Sequence, residues 1–213
     1  MPSMIDTGEF LRAVLPSKGV YFAAHFPPNS YGRRFSQDPC WDHNQLTATL
    51  RVLSQHHQDV YFALASYRTG DNRTGSNTKL YRAAWTDIDV GKPGTYATQT
   101  EAIASLFDLC RRVIGIAAPT ILVNSGYGVH AYWSFTRDIT PDEWQRIAQR
   151  LRALEEHAGL KADHNITVDA ARVLRPVGTY NFKRPEEPKP VKGWRLSPDL
   201  DPDDFLAALT TRC

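Results

Sequence analysis

Ala84-Trp-Thr-Asp-Ile-Asp-Val90 is the stretch on which the reading of this chain turns. Its apolar and β-branched residues suit an extended strand, and successive side chains in a strand point to opposite faces. Asp87 and Asp89 then project together, while Thr86, Ile88 and Val90 face the other way. Two neighbouring carboxylates repel, and a cation between them removes that cost. Hard oxygen ligands of this kind suit Mg²⁺ or Mn²⁺, which keep several waters and also accept phosphate oxygens. Alone, an Asp-x-Asp pair is a weak pattern that also describes ordinary surface acids.

Working outward, the strand is expected over Tyr81–Val90, with further strands at Gly19–Phe26, Asp59–Tyr67, Thr120–Asn124, Val129–Phe135 and Val173–Val177. Helices are set by period and caps. Phe10, Leu11 and Val14 mark a short first helix, and Leu46, Leu50 and Leu53 mark one face of a second running to about His56. Thr98-Gln-Thr-Glu101 has the form of a capping box, followed by Ile103, Leu106, Cys110 and Val113, with Gly115 as a stop. Thr140-Pro-Asp-Glu143 repeats the device ahead of Trp144, Ile147, Leu151 and Leu154. A last helix is expected over Pro202–Leu209. Strands and helices interleave without strict alternation, which predicts an α+β fold rather than a doubly wound parallel sheet.

Two further stretches carry chemistry. In Asn124-Ser-Gly-Tyr-Gly-Val-His-Ala-Tyr-Trp-Ser-Phe135, Gly126 and Gly128 permit a tight turn and close backbone approach to a ligand. His130 follows in the strand, where it can donate to a triphosphate, and Ser125 adds a hydroxyl. The plainer reading is a hairpin whose histidine is merely held in place. In Asp169-Ala-Ala-Arg-Val-Leu-Arg-Pro-Val-Gly-Thr-Tyr-Asn-Phe-Lys183, Asp169 is flanked by apolar residues, so a partly buried carboxylate is expected. Arg172 and Arg175 either pair with it or reach a phosphate. Asp163 is a competing third acid, in a setting that reads as more exposed.

Composition excludes several classes. With 213 residues, 42% hydrophobic and 23% charged, the chain can bury a sizeable core as an ordinary globular protein. No apolar run approaches the roughly 20 residues of a membrane span, and the N-terminus lacks a secretory layout, so a cytoplasmic location is expected. Three scattered cysteines support neither disulfides nor a zinc knuckle, although Cys40 and His43 have ligand-like spacing. A net charge of +2 is too mild to establish a nucleic-acid partner, but Arg68, Arg73, Lys79 and Arg82 cluster against one acid, Asp71. A second basic group comprises Arg172, Arg175, Lys183 and Arg184.

Taken in order, AWTDIDV (84–90), SGYGVHAYW (125–133) and DAARVLRPVGTYNFK (169–183) resemble the archaeo-eukaryotic primase superfamily, in its bacterial, plasmid and phage primase-polymerase branch. The likeness spans roughly Val60 to Lys183 in layout, and Arg175-Pro-Val-Gly departs from the Leu-Pro-Gly common in relatives. The resemblance implies an RRM-like mixed or antiparallel sheet packed with an N-terminal α/β unit. The catalytic domain would occupy 1–185, and 186–213 would be a Pro-rich connector and short terminal helix. It implies a template-directed DNA primase or polymerase in which Asp87, Asp89 and Asp169 hold two divalent ions. Ser125, Gly126, Gly128, His130, Arg172 and Arg175 would lie at the incoming NTP or dNTP. Arg68, Arg73, Lys79, Arg82 and Lys183 would contact single-stranded template and primer. Relatives often join this domain to a helicase or a priming-associated domain, and such a join would begin after Lys183.

Three rival readings remain. A replication-initiator nicking protein needs two metal-binding histidines flanking one residue, whereas His56 and His57 are adjacent. A glycosyltransferase would use the Asp-x-Asp pair but leaves the basic groups unexplained. A non-catalytic RRM-like module would stack bases on Tyr127, Tyr132 and Trp133, yet would gain nothing from acids that repel phosphate.

Overall fold

The computed structural model describes residues 2–26, 35–56, 59–112 and 117–210. In chain order these form β1 (Ser3–Ile5), α1 (Thr7–Val14), β2 (Tyr21–His25), β3 (Ser36–Cys40), α2 (His43–Gln55), β4 (Val60–Ala63), β5 (Ser66–Tyr67) and β6 (Thr78–Asp89). There follow α3 (Gln99–Arg112), β7 (Ile121–Asn124), β8 (Gly128–Ile139), α4 (Pro141–His157), α5 (His164–Thr167), β9 (Val173–Leu174), β10 (Tyr180–Asn181), β11 (Lys189–Pro190), β12 (Lys192–Arg195) and α6 (Pro202–Thr210). The fold is α+β, as the interleaving predicts.

One sheet has the order β1-β12-β7-β8-β6-β5 and a second the order β3-β2-β4-β9, with neighbouring strands antiparallel throughout. The expected strand 59–67 is divided. β4 joins the second sheet and β5 the first, so the chain changes sheets at Leu64-Ala65. β3 carries Pro39, which lacks a ladder donor, and it lies at a sheet edge where that loss is tolerated. The stretch expected to be a connector instead supplies β12, inserted between β1 and β7.

The caps do what their spacing predicts. Thr140 Oγ1 accepts from Glu143 N and Glu143 returns a carboxylate to Thr140 N, opening α4. Asp6 and Glu9 form the same reciprocal pair ahead of α1. The expected stop of α3 at Gly115 lies outside the described residues. Phe10 of α1 meets Phe62 of β4 at 5.4 Å and Tyr132 of β8 at 5.3 Å, both edge-on, so one ring ties the two sheets together. Trp144 of α4 stacks on Tyr81 and Trp85 of β6 at 4.4 and 4.8 Å, and Phe205 of α6 stacks on Trp133 of β8. These rings are buried and make β6 and β8 the rigid centre on which the acidic pair is mounted.

Candidate active site

β6 and β8 pair so that Asp87 lies opposite His130 and Asp89 opposite Gly128. The acidic pair and the glycine–histidine strand, separate in sequence, therefore share one end of a two-stranded ribbon. His130 Nε2 is 3.6 Å from Asp87 Oδ1. Burial and the charge of Asp89 push the Asp87 carboxyl up to about 7, against the opposing pull of Arg172 and Arg175. Burial, with Arg175 and Arg172 nearby, pushes the His130 imidazole down to about 3. At neutral pH His130 is thus an uncharged ring, and its Nδ1 has no partner among the described residues.

Asp89 is more open. Its Oδ2 accepts from Lys92 Nζ at 2.5 Å, a residue that motif spacing did not single out. The hydrogen bond to Asp89 raises the Lys92 pKa, whereas burial and the Lys92 charge lower that of Lys183 beside it. Two lysines thus flank the exposed carboxylate.

The glycine turn is built from inside the protein. Gly126 has φ +91°, which a side chain would resist, and a Cβ there would come within 3.0 Å of Asn181 and Lys189. A Cβ on Gly128 would lie 2.9 Å from the Ile88 carbonyl. Ser125 N donates to Gly128 O and Gly126 N donates to Asn124 Oδ1. Those two amides are satisfied within the chain. Asn181 Nδ2 donates to Ser125 O, and Gln99 Nε2 donates to Asn124 Oδ1 and Gly128 O. Tyr127 is held by its hydroxyl to Glu187 O, with Arg184 and Lys189 over its ring. The turn is a clamped support that presents Ser125 and His130.

The third acid departs from expectation. Asp163 N donates to Asp87 O, Trp85 Nε1 to Ile166 O, and Tyr81 Oη to Ala170 O. Segment 163–170 therefore packs along β6, from the Asp87 carbonyl past the Trp85 indole to the Tyr81 hydroxyl. Asp163 lies at the acidic pair, and its charge helps to raise the Asp87 pKa. Asp169 lies near the Tyr67 and Tyr81 hydroxyls, on which its charge bears, and its carbonyl accepts from Arg172 N. Asp169 is exposed rather than partly buried, and its Oδ1 accepts from Ala171 N. Among the described residues no trio of His, Cys, Asp and Glu is gathered tightly enough to be a ready-made metal cage.

The basic residues divide in the same way. Arg68 donates to Ser76 O, Arg73 to Ala171 O and Gln37 Oε1, and Arg82 to Asp138 Oδ1 and Thr136 O. Those guanidiniums tie loops to the sheet at the far end of β6; Arg68 and Lys79 are exposed, and Lys79 makes no side-chain bond among the described residues. Arg175 is held by Asp59 and Tyr61, over whose ring it stacks. Arg172 makes no ion pair among the described residues, although its charge is felt at both Asp87 and His130. Cys40 and His43 turn to separate partners, Thr49 and the Pro16 carbonyl, and form no ligand pair. His56 bonds the Val52 carbonyl, and His57 lies outside the described residues. No helix among the described residues is long and apolar enough to cross a membrane.

The sequence matches no protein-family model and no curated protein. Solved structures do match. The primase-polymerase domain of cyanophage S-2L superposes with a TM-score of 0.62 at 19% identity, covering 90% of this chain and 89% of that one. The catalytic domain of primase RepB′, solved with initiator DNA, gives 0.59 at 14% identity, covering 95% and 89%. The polymerase domain of Mycobacterium tuberculosis ligase D, solved with DNA, gives 0.51 at 13% identity, covering 97% and 86%. The chain has the archaeo-eukaryotic primase-polymerase fold.

Proposed function

We propose that this chain is a template-directed nucleotidyltransferase that joins nucleotides on single-stranded DNA, as a primase, a polymerase or both. The observation that carries the reading is the pairing of Asp87 with His130 and of Asp89 with Gly128, which unites the acidic strand and the glycine–histidine strand at one end of the sheet. The fold shared with three DNA-handling catalytic domains supports it.

The donor set fits a hard divalent ion. Asp87 and Asp89 offer carboxylates on one strand face, and the charge of Asp89 disfavours ionisation of Asp87, a cost that a cation relieves. Asp163, with its backbone hydrogen-bonded to Asp87, is the acid we assign to complete the set in place of Asp169. When bound, Mg²⁺ or Mn²⁺ supplies Lewis-acid stabilisation of phosphoryl charge and lowers the pKa of the attacking hydroxyl. The rest falls to the protein. Lys92 must release Asp89, and with Lys183 it is then free to meet the triphosphate. Arg172 supplies unpaired positive charge beside Asp87. His130, neutral and fixed, donates or accepts a hydrogen bond at the nucleotide without trapping charge, and Ser125 adds its hydroxyl from the clamped turn. The 3′-oxygen bonds the α-phosphorus as the bond to pyrophosphate breaks.

The direct test is synthesis on a single-stranded template with labelled NTPs or dNTPs, with and without a primer, in Mg²⁺ or Mn²⁺. Product from the wild type and none from Asp87→Ala supports the reading. Near wild-type extension by Asp87→Ala refutes it.

A further inference from the structure

β10 has two faces. Asn181 turns to the glycine turn through Ser125 O, and Lys183 just beyond it turns toward Lys92 and Asp89. Tyr180 and Phe182, alternate with these, face the opposite way, into a pocket of about 380 Å³ closed on its far side by the last turns of α2. Arg51, Ser54 and Gln55 line that side, and Pro188 lines the rim. The volume lies in the range of roughly 300–1,000 Å³ usual for small-ligand sites.

We propose that this pocket holds an unpaired base of single-stranded DNA beside the nucleotide site. The proposal rests on the polymerase reading and extends it by naming where the strand goes. Tyr180 leaves 46% of its surface in water, although it is a large ring that burial would favour. Phe182 lies 6.2 Å from it, so the two rings form a broad apolar wall. A base offers such a wall a π-face, and stacking of this kind tolerates any sequence. Ser54 and Gln55 supply donors and acceptors for a base edge, and Arg51 supplies a cation for the adjoining phosphate. Lys183 and Arg184 carry the basic surface from the pocket toward the acidic pair, with Tyr127 held beneath Arg184. An apolar peptide would leave these cations and side-chain amides unused.

The test uses a single-stranded oligodeoxynucleotide carrying 2-aminopurine at successive positions, with neither metal nor nucleotide present. The wild type should quench one position selectively. Tyr180→Ala should abolish that quench and weaken binding about tenfold, Tyr180→Phe should retain both, and Arg51→Glu should weaken binding severalfold. Tyr180 and Arg51 are exposed, and a thermal melt confirms that each variant folds. Unchanged affinity and no selective quench in the wild type overturn the pocket. Quenching of free 2-aminopurine nucleotide that single-stranded DNA does not compete away also overturns it, because the occupant is then a nucleotide and not a strand. Primer extension run in parallel keeps the two readings apart. Extension without the quench removes the pocket and leaves the polymerase. The quench without extension, lost in Tyr180→Ala, leaves the base site and removes the polymerase.

Discussion

The two ends of β6 handle charge in opposite ways. At the Thr78–Arg82 end, Arg82 meets Asp138 at 3.0 Å, Asp138 also accepts from Ser17, and the nearby Arg68 and Arg73 are spent on backbone carbonyls. These three guanidiniums each find a partner within the chain. At the Asp87–Asp89 end, like charges are forced together, a histidine is buried uncharged, and Arg172 has no carboxylate partner among the described residues. Folding does not select such an arrangement for its own stability, since an uncompensated buried charge is costly. One strand thus separates charges that hold the fold from charges kept for a ligand, and surface counts of arginine could not have made that division.

The contrast breaks most readily at Asp87. Asp87→Ala and Asp89→Ala should each lower primer extension by roughly a hundred- to a thousand-fold or more, whereas Arg82→Ala should change it by less than about threefold. Similar losses at both ends would erase the distinction. The third acid sharpens it. Asp163→Asn should cost roughly 10- to 100-fold in activity or in Mn²⁺ affinity, and Asp169→Asn less than about threefold. The reverse ranking would return Asp169 to the site.

Stability against pH gives a smaller effect with a definite sign. The folded Asp87 pKa, about 7, lies above its ordinary value of 3.8, so the folded state binds the extra proton between them. Metal-free protein should therefore lose stability as pH rises through that window. Asp87→Asn should raise the metal-free Tm by roughly 2–8 °C at pH 8 and leave it unchanged near pH 3. His130 acts oppositely. Its folded value of about 3 lies below 6.5, so its contribution is complete above 6.5 and lost as pH falls toward 3. Asp87→Asn should expose that acid-side slope in a thermal melt series. Least is expected of Arg82→Ala, which should lower Tm by about 2–4 °C through one partly buried ion pair.

Much of this was legible in the sequence, and the reasons are local. Alternation along 84–90 and 128–135 is a short-range property, so the shared face of Asp87 and Asp89 and the strand bearing His130 could be read from it. The cap at Thr140 is equally local. The rest depends on partners distant in the chain. Nothing in Lys192-Gly-Trp-Arg195 marks an inner strand, because its pairing with β1 and β7 is what makes it one. The change of sheet at Leu64-Ala65 interrupts what reads as one apolar run. The preference for Asp163 over Asp169 that we propose rests on three bonds from β6 along 163–170, and spacing to Arg172 does not encode them. The tying of Arg68, Arg73 and Arg82 is hidden for the same reason.

Among the described residues β1 pairs with β12 alone. During synthesis Ser3–Ile5 must wait, unpaired, until Lys192–Arg195 has been made. A truncation before Lys192 would therefore free Ser3–Ile5 as well, so a cut at one place should fray the sheet at two.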